Sequence, residues 1–418
     1  MRRWWCAFRV VVPVLAAAAV VGTCGVLPDG GGPAAPEMPP IGLDAVEQLE
    51  FPPLEFDPPE PERFELSNGV TVLFLQDATL PMVDVMVNLK GGYAYFDREA
   101  YAAASALLPL MRNGGTRTFT VDSLDAHVDF HALGLTTSTD GTRMVLRANG
   151  LGRQIDLVLE LWSEILLHPR LDSAAVERWR RRELEAVRRR SDFPGSQAVL
   201  EFNRIMFGDH PTGWVMTESD LSPEQLNEDR LRRQHDRVVC PENAIIGAAG
   251  ALDRDTLAEA LERALGDWQP CGEGLDSVPR PVLEPNPEVY VMPSTLPQST
   301  IVVGEPGGVV LEESQDYFAS RIANWVIGGS GFTSRLMTRV RTEAGLAYSA
   351  ASVWGVSRDH ERILGAITHT RADRTVEATR LLLAILDEAR TDPPTAEEVQ
   401  LARDAIVNGF VFGCGNSA

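Results

Sequence analysis

Apolar and polar residues alternate through Arg63–Ser67 and again through Val70–Leu75, on either side of Asn68-Gly69. A period of two predicts strands, and Asn-Gly between them predicts a hairpin with a type I′ turn. Met82–Leu89 continues the alternation as a third strand. The period then lengthens: Asp97–Met111 is an Ala- and Leu-rich helix, and Thr120–Leu133 a shorter one. Thr136–Arg147 returns to strand spacing and turns at Asp140-Gly141. In Arg153–Leu167 the residues Ile155, Val158, Leu159, Trp162, Ile165 and Leu166 share one helix face. Ser173–Arg190 is a long charged helix, further helices reach to about 236, Ala244–Ala249 is a strand and Asp255–Ala264 a helix.

Residues 270–288 hold five prolines and read as a linker. The same order of elements then returns. Ser299–Gly304 is a strand, and Ser314–Ile327 and Thr333–Arg341 are helices. Tyr348–Val356 and Arg362–Thr368 form a hairpin, and Asp373–Glu388 and Thr395–Asn408 are helices, with Asp373 suited to an N-cap. Corresponding helices of the two halves start 213 to 222 residues apart. That spacing argues for a duplicated α+β unit, each an antiparallel sheet flanked by helices. The expected organisation is a domain at 62–269, the linker at 270–288 and a second domain at 289–418. The second repeat stops soon after the helix matching 173–190, so it is expected to be incomplete, by natural shortness or by truncation.

The formal charge of −21 argues against nucleic acid as a ligand, because phosphate binding needs a basic surface. The run Arg178–Arg190 does not change this: Glu177, Glu183 and Glu185 interleave it, as on a solvated, ion-paired helix. At the N-terminus, Arg2 and Arg3 precede the apolar run Val10–Val21, too short to span a bilayer and fitted to a signal-peptide core. Val21-Gly22-Thr23-Cys24 resembles a lipobox, which would make Cys24 an acylated N-terminus and place the protein on the periplasmic side of a bacterial envelope as an outer-membrane lipoprotein. Thr23 is atypical there, so plain secretory cleavage stays open. Residues 25–61, rich in Gly and Pro, are expected to form a disordered tether. Cys240 and Cys271 could pair in an oxidising compartment, and spacing leaves that open.

The chemistry-bearing stretch is Arg335–Ser349, RLMTRVRTEAGLAYS, after the glycine turn Gly328–Gly331. Arg341 and Tyr348 lie seven residues apart, across a helix end marked by Gly345. A helix end followed by a strand can aim both at one point, where they could hold a peptide carbonyl or an oxyanion. The plainer alternative is a buried Tyr and a surface Arg. His127 and His131 share a helix face at i and i+4, but Asp129 is not placed as the general base of a zinc-peptidase motif. A solitary metal site there is a second alternative. His210 reads as structural, and Gly328–Gly331 lacks the Gly-Lys-Ser/Thr ending of a phosphate loop.

The segments FELSNGVTVLFLQD (64–77), GDHPTGW (208–214), CPENAIIGAAGALD (240–253) and 335–349 together resemble the insulinase (pitrilysin) family of zinc peptidases, especially its processing-peptidase-like members. The resemblance runs from about Phe64 to Phe412. It implies the two-domain metallopeptidase fold of that family, and it implies that Arg341 and Tyr348 contact substrate near the scissile bond. Active members carry H-x-x-E-H on the helix corresponding to 97–111: two histidines on one face bind zinc and the Glu is general base. Those positions here are Ala106, Pro109 and Leu110, and the third-ligand position is Ala186, with Glu185 one residue out. None of the four can ligate zinc, Pro109 is expected to strain the helix, and Glu185 is turned about 100° around it.

Some family members work as pairs, one subunit with the zinc motif and one with the Arg/Tyr pair. The resemblance therefore implies a non-catalytic, substrate-binding partner of an HxxEH-bearing subunit, with no cofactor of its own and zinc in the partner. Its ligand would be peptide or unfolded protein, and a lipid anchor would tie it to the membrane. A non-proteolytic envelope scaffold with the same fold is the alternative.

Overall fold

The computed structural model describes residues 59–413, apart from 285, 286, 308, 313, 359 and 361. The signal-like segment, Cys24 and the Gly/Pro-rich stretch up to 58 lie outside the described residues.

Strands β1 (Glu62–Glu65) and β2 (Thr71–Gln76) form the first hairpin. Its turn departs from expectation. Leu66 N donates to Val70 O and Gly69 N to Leu66 O, and of Asn68 and Gly69 only the glycine has positive φ, +84°. A type I′ turn needs both central residues there, so the loop closes over three residues with the glycine in the left-handed position. Strands β3 (Met82–Lys90), β4 (Gly134–Thr139), β5 (Arg143–Leu151) and β6 (Ala244–Gly250) complete the sheet, in the order β1-β2-β6-β3-β5-β4. It is antiparallel except where β6 runs parallel to β2.

Helices α1 (Tyr101–Asn113), α2 (Val121–Phe130), α3 (Ile155–Leu167), α4 (Ser173–Arg188), α5 (Pro194–Phe207), α6 (Glu228–Val238) and α7 (Arg254–Leu265) follow in chain order. The inward face of β3, Val83, Val85, Val87 and Leu89, is buried with Leu107 and Met111 of α1 and Trp162 and Ile165 of α3. Trp162 reaches across to donate its indole N–H to Leu146 O at 3.0 Å, so its one polar group costs nothing when buried. Side-chain caps fix several starts: Thr120 for α2, Asp172 for α4 and Asp253 for α7 each accept from an amide three residues on.

The second sheet has strands β7 (Gln298–Gly307), β8 (Ala347–Trp354) and β9 (Arg362–Arg371), all antiparallel, in the order β7-β9-β8. This repeats the β3-β5-β4 order of the first sheet, the topological form of the duplication. Its helices are α8 (Gln315–Asn324), α9 (Arg335–Met337), α10 (Thr375–Thr391) and α11 (Ala396–Gly413).

Two expectations about these helices are corrected. The helices expected over Ser314–Ile327 and Thr333–Arg341 are α-helical only in α8 and α9; each then widens into a π-helical turn, Trp325–Gly329 and Thr338–Glu343. Asp373 does not cap α10. Arg374 occupies the N-cap without a side-chain cap bond, and Asp373 is drawn away by Arg371, whose Nε donates to it at 2.9 Å.

The second core is smaller: Ile301, Leu336, Val340, Leu346, Ala350, Ala366, Ala378, Leu382 and Ile385. Helix α5, from the first half, lies against β7 and β9, where a Cβ on Gly195 would stand 3.1 Å from His369 Cε1 and one on Gly304 would stand 2.9 Å from the Phe202 ring.

Candidate functional site

Three features of the 328–350 segment build the site. First, Leu336, Val340, Leu346 and Ala350 are buried in the second core and anchor the segment from below. Second, the helix widens after Met337: Ala344 N donates to Arg339 O and Leu346 N to Val340 O, five and six residues back. Such turns shift the side chains that follow out of α-helical phase and recur at functional sites. Third, β8 carries a bulge. Ala347 pairs with Thr370 but Ala350 with Thr368, so Tyr348 and Ser349 bow out of the ladder. A bulge re-aims its side chains. Gly345, between the two irregularities, has φ +60°, which no β-branched residue adopts without strain.

The result brings Arg341 and Tyr348 together. The Arg341 guanidinium lies 4.6 Å from the centre of the Tyr348 ring and 4.7 Å from that of Phe332. Tyr348 is 79% exposed and Phe332 70% exposed, so both rings offer large apolar surfaces to whatever Arg341 meets. The alternative of a buried tyrosine is thereby excluded. Among the described residues Arg341 makes no ion pair, and its Nη1 is buried without a hydrogen-bond partner. A buried, unanswered N–H carries a desolvation cost that an incoming acceptor would relieve. A guanidinium held against two rings is fixed in position while its N–H groups remain donors.

Arg335 shows the contrasting case. It is spent on structure, donating from Nη2 to Glu398 at 2.7 Å and from Nη1 to Asp392 O at 3.0 Å, and the pairing holds Glu398 down at a pKa of about 2. Arg339 is likewise paired, with Glu388.

Sequence reasoning missed Phe332. The available signal was a large apolar residue in an otherwise Gly/Ser/Thr turn, where burial is not expected.

At the positions that the resemblance assigns to zinc, the side chains supply no ligand and the helix face is packed into the core. Ala106 is fully buried and Leu110 is 2% exposed, both in the first core. Helix α1 runs unbroken through Pro109 from Tyr101 to Asn113, so the strain expected of that proline does not end the helix. Ala186 and Glu185 are exposed on α4 and line a separate cleft of about 450 Å³ with Arg182, Arg189, Arg190, Phe193 and Ser196. Neither the donor set nor the burial fits a zinc ion there.

His127 and His131 stack with ring centres 6.4 Å apart, but each has a local partner: His127 Nδ1 bonds to Ser123 O and His131 Nδ1 to the Gln154 amide. They belong to no group of three metal-ligating side chains among the described residues. His210 is structural: its Nε2–H donates to Pro279 O at 2.8 Å, tying the 208–214 loop to the segment between the sheets. Cys240 and Cys271 form a disulfide, resolving the pairing that spacing left open.

Residues 71–204 match the family model described as insulinase (peptidase family M16), and residues 225–406 match that of the peptidase M16 inactive domain. An uncharacterized zinc protease of Mycobacterium tuberculosis is 26% identical over 65% of this chain and 61% of its own length. A non-peptidase homolog, YmxG, of Helicobacter pylori is 24% identical over 67% of this chain and 64% of its own. The chain thus spans about three fifths of the length of these curated relatives, 61–64%. The crystal structure of a peptidase M16 inactive domain from Pseudomonas fluorescens superposes with a TM-score of 0.75, at 21% identity and 83% coverage of both chains. The chain belongs to the insulinase family, peptidase family M16.

Proposed function

We propose that this protein binds peptide substrate for a zinc-bearing M16 subunit and does no hydrolysis alone. The observation that carries the reading is the Arg341 guanidinium, braced between two exposed aromatic rings with one N–H group buried and unpaired. A peptide carbonyl entering there accepts from Arg341, and the Tyr348 hydroxyl supplies a second donor. Both donors gain strength as the carbonyl oxygen takes on negative charge, so they favour the tetrahedral intermediate over the bound substrate. Zinc, the nucleophilic water and the general base come from the partner, because Ala106, Pro109, Leu110 and Ala186 carry no lone pair to offer. The peptidase family models that match both halves support the peptide as ligand class. Support for the envelope as location comes from the signal-like N-terminus and from the Cys240–Cys271 disulfide, which suits an oxidising compartment.

The test is peptide hydrolysis by the purified chain with its disulfide intact, alone and mixed with a co-encoded HxxEH homologue. The expected result is no hydrolysis alone and hydrolysis in the mixture, falling about 100-fold on Arg341→Ala, the scale of losing one oxyanion donor. Hydrolysis by the lone chain would overturn the proposal. Mixture activity and assembly both indifferent to Arg341→Ala and Tyr348→Phe would point instead to an envelope scaffold.

A further inference from the structure

We propose that Cys240, Cys271 and Glu242 form a redox-gated zinc site, closed as a disulfide and open to metal when reduced. The site lies between residues 240 and 271 and is independent of the Arg341 reading. Cys240 follows α6 and is 1% exposed; Cys271 comes from the extended segment after α7, with the two Cα atoms 5.1 Å apart. Their sulfurs and a Glu242 carboxylate oxygen all lie within 4.8 Å of one another. Tetrahedral zinc, with bonds of about 2.3 Å to sulfur and about 2.1 Å to oxygen, spaces its ligand atoms by roughly 3.5–3.8 Å. The three groups therefore need only a small separation of the sulfurs to enclose an ion.

The surroundings hold these groups in place without the S–S bond. The backbone N–H of Cys271 donates to Glu242 Oε2 at 3.0 Å, fixing the carboxylate beside the sulfurs. The Asn243 side-chain N–H group lies 3.1 Å from Cys240 Sγ and also bonds to Arg237 O and Val238 O. A fixed amide donor beside sulfur stabilises a thiolate, the form that binds metal. Glu242 is exposed and Cys271 half-buried, so an ion can enter and a water can take the fourth position.

The same segment forms one wall of a cavity of about 1220 Å³, which Gln269, Gly272 and Glu273 line opposite α3 and α6.

The step balances. A dithiol reductant gives up two electrons and two protons, breaks the S–S bond and itself becomes a cyclic disulfide, leaving two thiols. Zinc then displaces both thiol protons and takes Glu242 as a carboxylate ligand.

The experiment uses the full chain. One sample keeps its disulfide; the other is treated with dithiothreitol, which is then removed under nitrogen. Both are equilibrated with Zn²⁺ and desalted, and bound zinc is measured by elemental analysis, with Co²⁺ absorption reporting thiolate ligation. Expected are no zinc on the oxidised chain and one per reduced chain, lost when Cys240→Ser and Cys271→Ser are combined. Because that double variant still contains Cys6, Cys24 and Cys414, it also counts zinc held by those residues. Glu242→Gln, which keeps both cysteines and the disulfide, is expected to weaken zinc at least about tenfold. Equal zinc in both redox states, none in the reduced chain, or uptake unchanged in the double variant would each overturn the site. None of these outcomes bears on hydrolysis by the mixture, so the two proposals fail separately.

Discussion

Within one stretch of fifteen residues, three arginines have two fates set by their neighbours. Arg335 and Arg339 meet carboxylates from α11 and α10 and are tied down, whereas Arg341 lies against the aromatic rings of Phe332 and Tyr348. Two predictions belong at this scale. Phe332→Ala should leave stability unchanged, because the ring is mostly in water, and should raise the KM of the mixed peptidase about three- to tenfold with kcat held, the worth of one partly exposed cation–π contact and its apolar surface. Steady-state kinetics separate the two constants.

Glu398 tests the paired arginine. Its folded pKa of about 2 lies below the ordinary 4.5, so the Arg335 pair stabilises the fold above pH 4.5 and is lost as pH falls from there towards 2. With 30% of the Glu398 side chain in water, Glu398→Gln should cost about 1–2 kcal/mol at pH 7, less at pH 3 and little at pH 2, read by urea unfolding.

At the scale of elements, the two halves use the same strand order for different ends. In the first, α1 is a regular helix whose inward face is packed with alanine and leucine. In the second, the helix before the hairpin widens and the first hairpin strand bulges, and both irregularities converge on Arg341 and Tyr348. Ala106 and Leu110, at the positions that the resemblance assigns to zinc ligands, are part of the first core. Leu110→His should destabilise the protein by about 2–4 kcal/mol, through lost apolar burial and an imidazole without a partner, and should bind no zinc. Chemical denaturation and metal analysis of Ala106→His/Pro109→Glu/Leu110→His would check both parts; stoichiometric zinc at undiminished stability would show that the α1 face is a dormant site.

For the whole molecule, histidines take part in the contacts between the two halves. His210 donates from Nε2 to Pro279 O and accepts at Nδ1 from Thr212 N, a pattern only the neutral ring can satisfy. Its ring centre lies 5.1 Å from that of His360, from the β8–β9 connection, and Phe207 flanks both. Burial lowers the His210 pKa, and the nearby Arg362 charge lowers it further, against the pull of the Pro279 carbonyl. A histidine with a depressed folded pKa contributes stability that is present above its ordinary value of about 6.5 and is lost as pH falls below it. The midpoint of thermal unfolding should drop between pH 7.5 and 5.5, and His210→Gln should reduce that drop by roughly 2 °C.

Local patterns made most of this chain legible. Alternation in β3 and β5 and the apolar face of α3 are properties of neighbouring residues, because strand and helix repeats are short-range geometry. The duplication was visible for the same reason, as one order of such patterns met twice. That the side chains of Ala106, Pro109 and Leu110 cannot ligate a metal could also be read directly, since residue type alone decides it. Other features were decided only by the tertiary structure. The type I′ turn gave way to a three-residue loop, and Asp373 lost its capping role to Arg371, because each competing hydrogen bond depends on the register of a finished hairpin or strand. The Phe332–Arg341–Tyr348 stack needs a π-helical turn and a bulge, both consequences of seating Leu336, Val340, Leu346 and Ala350 in one core. Cys240 and Cys271, 31 residues apart, became partners only when α7 brought the chain back past the end of α6. A residue's chemistry is written in its own side chain, but its partners are chosen by the packing of segments far apart in the chain.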